Sequence, residues 1–348
     1  MNKKAIDQIL ENNAYPDLAS KAELIETHIS WVILTNDFAF KIKKPIQYSF
    51  LSFSTLEKRK FYCEKEMELN KRLADNVYLE VVPILFYEGK WTIEGKKGKV
   101  VDYAVKMKKL DNKRRMDVLL RKGEVTEKHM DQIADRLAGF HAFTDTIEKE
   151  PDVHGLWMDF SDILIVQEFL SKHLGKQAGV KIKEAVDFSK QFLKKYQHRF
   201  EERQKMGLTI DGHGDLHSRN IFLLDEPVIF DCIEFNDHFR QVDVLNEIAF
   251  FCMDLDFYEQ RGLERHFLKN YLIKYPCIFS DEDRLIFEYY KLYRANVRTK
   301  VNALKAIQAD DKKEQSYRLD LVEDYFLLMR EYLSVLKEKV ESDTNSIA

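Results

Sequence analysis

Glycine and proline are scarce in this chain, 12 and 6 of 348 residues, against the usual ~7% and ~5%. Such scarcity argues against a loop-rich sandwich and favours long helices. Cysteine pairs are missing too. Cys63, Cys232, Cys252 and Cys277 form no Cys-x-x-Cys and show no metal-ligand spacing, which reads as reduced, mostly buried thiols of a cytoplasmic protein. No apolar run approaches the ~18 residues of a membrane span; "VVPILFY" is among the longest. The opening "MNKKAIDQILENNAYP" has two lysines but no apolar stretch, so it does not read as a signal peptide. Nor is there a large excess of either charge. A net charge of −4 and a pI near 6.2 give no reason to expect a nucleic-acid binder held by phosphate contacts. Neither nucleic acid nor membrane is expected as a partner, and nothing here fixes an oligomeric state.

What is present falls into two parts, with no internal repeat and no low-complexity linker. Residues 3–14 alternate in a helical way. Residues 23–43 then read as three short strands, "ELIE", "SWVILT" and "FAFKIKK", the last two joined by an Asn36-Asp37 turn. Residues 55–74 carry a threonine cap and a helical apolar face. "VYLEVVPILFYEG" and "KVVDYAVKMKKL" restore strand chemistry, separated by "EGKKGK". After Leu110 the pattern is helical over 112–145, 161–204 and most of 241–348, interrupted by a hairpin at 221–231. The reading is therefore α+β: a sheet-rich first lobe, 1–110, and a larger, mostly helical second lobe, 111–348.

Chemistry concentrates in "GHGDLHSRNIFLLDEPVIFDCIEF", residues 212–235. Asp215 and Asn220 stand five apart just before a strand, and Asp231 ends the partner strand. A short return through "DEP" brings Asn220 and Asp231 to one end of the hairpin. Oxygen-only ligation of this kind suits Mg²⁺, which takes few carboxylates and completes its shell with water and substrate phosphates. Asp215 is left over to accept a proton from an attacking hydroxyl. Any one of these residues alone is ordinarily a cap or turn residue. The joint spacing, with Lys41 upstream, is what points to a reaction. "GDLHS" also resembles part of a binuclear metallophosphoesterase, in which His213 and His217 would ligate metal. The further Asp-x-His and Gly-Asn-His motifs of that class are not found.

"HGDLHSRN" resembles the catalytic loop of the protein-kinase-like superfamily, H-x-D-x-x-x-x-N, and "IFD" resembles its strand ending in the metal-binding aspartate. Gly-Asp-Leu-His is more typical of the aminoglycoside phosphotransferase and choline kinase branch, as are "RLAGFHAF" (136–143) and "VDVLNEIAFF" (242–251). A group of bacterial proteins assigned to that branch shares "KIKKP", "FSTLEKRKFYCEKEMELNKRL" and "DCIEFND"; some carry a fused P-loop ATPase domain, which this chain, lacking GxxxxGK[ST], is expected not to have.

The resemblance implies a two-lobed kinase-like fold that binds ATP with Mg²⁺ and phosphorylates a hydroxyl of a small-molecule acceptor. Asp215 would be the catalytic base, Asn220 and Asp231 the metal ligands, with His213 and Asp243 supporting the loop. "FAFK" has the form of the strand whose lysine neutralises phosphates and pairs with a helix glutamate. Lys41 and Lys43 share one strand face, so periodicity cannot separate them, although the motif favours Lys41. Glu66 is the expected partner and Glu64 the alternative. A Gly-rich loop is missing; backbone N–H groups of "THIS" (27–30) and the Ser30 hydroxyl would serve instead. Adenine would lie against 107–110, touching Met107, Lys108 and Leu110. In the second lobe Tyr290, Arg294 and Arg298 fall at i, i+4, i+8 on one helix face, a candidate clamp for an anionic group or simply ion-paired residues. A regulatory nucleotide binder, or AMP transfer on the same fold, is the competing expectation.

Overall fold

The computed structural model describes residues 1–16, 22–48 and 51–347, with side chains through 342. It divides into two compact units, Met1–Val125 with His213–Arg240, and Thr126–Gly212 with Gln241–Ala348. This division by packing differs from a cut at 110. The segments 111–125 and 213–240 pack with the sheet.

The first unit is built on a six-stranded antiparallel sheet. Its strands are β1 (Glu23–Glu26), β2 (Ser30–Leu34), β3 (Phe38–Lys43), β4 (Tyr78–Tyr87), β5 (Lys90–Ile93) and β6 (Lys99–Lys108), in the order β1-β2-β3-β6-β4-β5. β5 is an addition to the strands read from sequence. It returns from β4 through Glu88 and Gly89, both at positive φ (47° and 78°), as a two-residue hairpin turn requires. Alternation along β3 sorts its side chains. Phe40 and Ile42 enter one core cluster with Ile33, Ile84 and Ala104, closed by Ile6 and Ile9 of helix α1 (Lys3–Glu11). Each fully buried side chain of this kind contributes roughly 1.5–3 kcal/mol. Ala39 faces the other way, into a cluster with Val105, Met107 and Cys63. Helix α2 (Leu56–Ala74) covers that face, its first turn capped by the Thr55 hydroxyl accepting from Lys58 N at 3.2 Å. The same unit holds helix α3 (Met116–Arg121) and the hairpin of β8 (Ile221–Leu223) with β9 (Pro227–Ile229).

The second unit is helical: α4 (Glu127–Phe143), α5 (Val153–Ser161), α6 (Gln167–Leu174), α7 (Lys176–Lys195), α8 (Gln197–Lys205), α9 (Val244–Phe257), α10 (Arg261–Lys274), α11 (Asp281–Gln308) and α12 (Lys312–Ile347). The helical stretch expected over 161–204 is broken at Gly175, φ 90°. A two-stranded ribbon of β7 (Thr209–Asp211) with β10 (Gln241–Asp243) completes it. All four cysteines are buried and form no disulfide among the described residues, and no described helix is long and apolar enough to cross a membrane.

Candidate active site

Because Phe40 and Ile42 take the core side of β3, Lys41 and Lys43 point toward α2. Both reach Glu66. Lys41 Nζ lies 2.7 Å from Oε1, and Lys43 Nζ lies 2.7 Å from Oε2. Glu64 is on the solvent side of the helix, 3.6 Å from Lys60. Lys41 also reaches Asp231 Oδ1 at 2.6 Å, while Lys43 donates to Glu234. Burial opposes charge on both lysines, but Asp231 and Glu66 outweigh it at Lys41, and Glu234 and Glu66 at Lys43, so both stay well above the ordinary lysine pKa. Burial likewise opposes ionisation of Glu66; the two ammonium groups win and hold it below the usual carboxylate range.

The loop before β8 is fixed by its own side chains. His213 Nδ1 accepts from Asp215 N at 3.3 Å, so the ring proton sits on Nε2, which donates to Phe230 O at 2.9 Å. That tautomer ties the loop to the end of β9. Asn220 Nδ2 donates to Asp215 O and Oδ2, both at 3.0 Å. Since both partners are acceptors, the amide orientation is determined and its oxygen is left facing away from Asp215. His217 Nε2 stands 3.3 Å from Asp215 Oδ2, and its Nδ1 accepts from Arg219 N. Phe230 N bonds Asn220 O at 3.0 Å, which places Asn220 and Asp231 at one end of the hairpin. Asp231 adopts a left-handed φ of 65°, a strained choice for a side chain that concentrates at functional sites. It is held by Tyr78 OH, which accepts from Asp231 N at 3.3 Å, and by Asn70 Oδ1, which accepts from Cys232 N at 2.9 Å.

Above this polar row lies an apolar bed. Ala39, Met107 and Phe222 are buried in one cluster, with Val32, Leu110 and Phe230 packed against it half-buried. The backbone of the crossover is partly spoken for. Lys108 N bonds Val77 O and Lys109 N bonds Asp37 O, whereas Leu110 makes no backbone hydrogen bond among the described residues. Ser30 is closed off. Its N–H is taken by Thr27 Oγ1 at 2.9 Å, as is that of Ile29 at 3.3 Å, and its hydroxyl is buried with no partner among the described residues. Those two backbone donors are turned inward to the threonine.

The remaining expected residues lie in the second unit. Asp243 clasps Arg203 through both oxygens at 2.7 and 2.8 Å and caps α9 at Leu245 N. What it supports is β10, and β10 pairs with β7, the strand that leads into the loop. Glu247 is the residue packed against that approach: a Cβ on Gly212 would fall 2.9 Å from its carboxylate. Tyr290 and Arg294 are buried. Arg294 Nε donates to Asn246 Oδ1 at 2.6 Å and its guanidinium covers the Phe250 ring at 4.6 Å. Arg298, half-buried, lies over Tyr325 at 5.2 Å.

No protein-family model matches the chain. An uncharacterized protein of Mycobacterium tuberculosis is 32% identical over 288 residues, 81% of this chain and 55% of that protein. The chain thus spans about half the length of the curated relatives it matches. Among solved structures, a putative aminoglycoside phosphotransferase from Ralstonia eutropha has a TM-score of 0.53 at 10% identity, covering 97% of this chain and 98% of the other. An AMP-bound spectinomycin phosphotransferase has 0.52 at 15% identity, covering 92% and 98%. The chain shares the fold of these two phosphotransferases.

Within that fold, sequence reading overlooked Glu234, Tyr78, Asn70 and the Phe222–Phe230 bed. Glu234 had a signal, an acid set between Ile233 and Phe235. Tyr78 and Asn70 had none, because a tyrosine in a strand and an asparagine in a helix carry no mark of their partners.

Proposed function

We propose that the chain is an ATP-dependent phosphotransferase that moves the γ-phosphoryl group to a hydroxyl of a small-molecule acceptor. One observation carries this reading: a single compact unit brings Lys41, Glu66 and Asp231 into one ion-paired row and joins Asp215 to Asn220 at the foot of the same hairpin. Lys41, steadied by Glu66, grips nucleotide phosphates. The apolar bed of Ala39, Met107, Phe222 and Phe230 takes the adenine ring, and Leu110 supplies backbone groups to its edge. Asp215, oriented by Asn220 and His217, aligns the acceptor hydroxyl and takes its proton.

Mg²⁺ fits the residues present. The Asn220 amide oxygen is turned away from Asp215, and the Asp231 carboxylate is 43% exposed, an all-oxygen pair of the kind that holds magnesium together with phosphates and water. No group of three His, Cys, Asp or Glu able to hold a metal occurs among the described residues, which argues against a dedicated transition-metal cage. Bound there, the ion would neutralise phosphate charge.

Titration calorimetry with Mg-ATP tests the reading; no heat at millimolar nucleotide would sink it. Screening hydroxylated metabolites for ATP consumption identifies the acceptor, and product masses separate phosphate from AMP transfer. Asp215→Asn is expected to lower turnover about 10²–10⁴-fold with nucleotide affinity retained.

A further inference from the structure

Lys43 is an unusual residue to find beside a phosphate-binding lysine. It is fully buried, as is Glu66, and Glu234 is 4% exposed, whereas Lys41 and Asp231 are 13% and 43% exposed. The five groups therefore form an inner, closed half and an outer, open half. Glu66 belongs to both. Its Oε2 accepts from Lys43 and its Oε1 from Lys41, so the inner bond fixes the plane of the carboxylate and with it the direction in which Oε1 receives Lys41. Lys43 has a second anchor in Glu234, three residues beyond Asp231. The Phe53 ring closes beneath its ammonium at 4.9 Å.

The consequence is a bracket. Lys41 has two anionic partners, Glu66 on α2 and Asp231 after β9, and one buried cation holds the chain segments of both. Asn70 reinforces it a turn further along α2, donating to Glu66 O at 2.8 Å and accepting from Cys232 N at 2.9 Å. At the exposed rim Lys65 of α2 reaches Asp237 at 2.7 Å. Stability alone is a poor reason for the buried pair, because well-packed apolar residues of similar volume usually serve as well or better. Position offers another reason, since the bracket sets Lys41 between the buried Glu66 and the exposed Asp231.

We propose that Lys43 and Glu234 form a positioning pair that holds Glu66 and the Asp231 segment in register, so that Lys41 is aligned for the nucleotide without Lys43 touching it. This rests on the phosphotransferase reading above. The experiment measures Mg-ATP affinity by calorimetry, and melting temperature, for the wild type, Glu234→Gln, Lys41→Met and Lys41→Met/Glu234→Gln. Glu234→Gln is expected to weaken Mg-ATP binding about tenfold, and to have no further effect once Lys41 is gone, since residues acting through one another are not additive. The double variant Lys43→Met/Glu234→Leu, which leaves no buried charge from the pair unpaired, is expected to keep the wild-type melting temperature within a few degrees and still lose about tenfold in affinity. An unchanged affinity in these variants, or an equal loss with and without Lys41, overturns the positioning role and leaves the phosphotransferase reading intact. A wild type that binds no Mg-ATP overturns both.

Discussion

At the scale of single residues, the candidate site depends on backbone that only some side chains tolerate. Gly214 precedes Asp215 with φ +83°, and a Cβ there would meet Phe239 O at 2.7 Å and Arg240 Cα at 3.2 Å. Gly89, in the β4–β5 turn, has a similar φ of +78° but open space around it. The two glycines separate conformational strain from collision. Gly89→Ala should cost only the left-handed penalty, about 1–2 kcal/mol. Gly214→Ala adds a clash with backbone that cannot swing aside, so its melting temperature should fall several degrees further. Calorimetric scans of the two variants check this, and equal losses would show that the loop gives way. The residues around Gly214 were legible because a fixed spacing carries them: Asp215, Asn220 and Asp231 are spaced by one loop and one hairpin. The pairing of Glu234 was not, for its partner Lys43 lies 191 positions away and no local rule connects them.

At the scale of elements, periodicity did well where one face is apolar and the other wet. β1, β2 and β3 fall where alternation and turn residues place them, and α2 begins at its threonine cap. The misses have local causes. β5 follows a Glu88-Gly89 turn instead of the Asn-Gly that marks such hairpins, and β7 and β10 are three residues each, too short to show alternation. The Tyr290, Arg294 and Arg298 stripe was correctly placed on a helix, but spacing could not say what the stripe packs against. Helix α4 offers a clean test of element-level reasoning. Gly139 sits in its interior on an exposed position, and a Cβ there would meet nothing within 4 Å. Gly139→Ala is therefore expected to stabilise the protein by about 0.5–1 kcal/mol, read as a rise in melting temperature. A fall would reveal a contact that the helix surface does not show.

At the scale of the whole molecule, sequence pattern could separate a sheet-rich part from a helical one but could not read what fastens the helical unit, because its fasteners join residues far apart in the chain. Asp283 is the main one. Its buried carboxylate accepts from Arg199 Nε at 2.9 Å and Nη2 at 2.8 Å, from Arg203 Nη1 at 2.8 Å and from Phe279 N at 2.7 Å. Arg203 in turn holds Asp243, so α8, the start of α11 and the start of α9 meet at one charge cluster. Burial works against the Asp283 charge, yet the hydrogen bonds from Arg199 and Phe279 and the charge of Arg203 prevail and lower its pKa from the usual 3.8. A carboxylate depressed in the folded state binds fewer protons than the unfolded chain does near pH 4. Its stabilisation is therefore complete above the unfolded pKa and is lost as pH falls through the lower, folded one. Asp283→Asn removes this titration, at a cost of about 3–5 kcal/mol at neutral pH if the buried Arg203 and half-buried Arg199 are left short of a partner. The gap in melting temperature between wild type and variant should be widest at neutral pH and should narrow steadily below about pH 4. Groups shifted the other way, such as Glu264, whose pKa burial raises, are common to both proteins and drop out of the difference. A gap that stays constant from pH 7 to pH 3 would mean that Asp283 acts through shape and hydrogen bonding alone, with its charge contributing nothing.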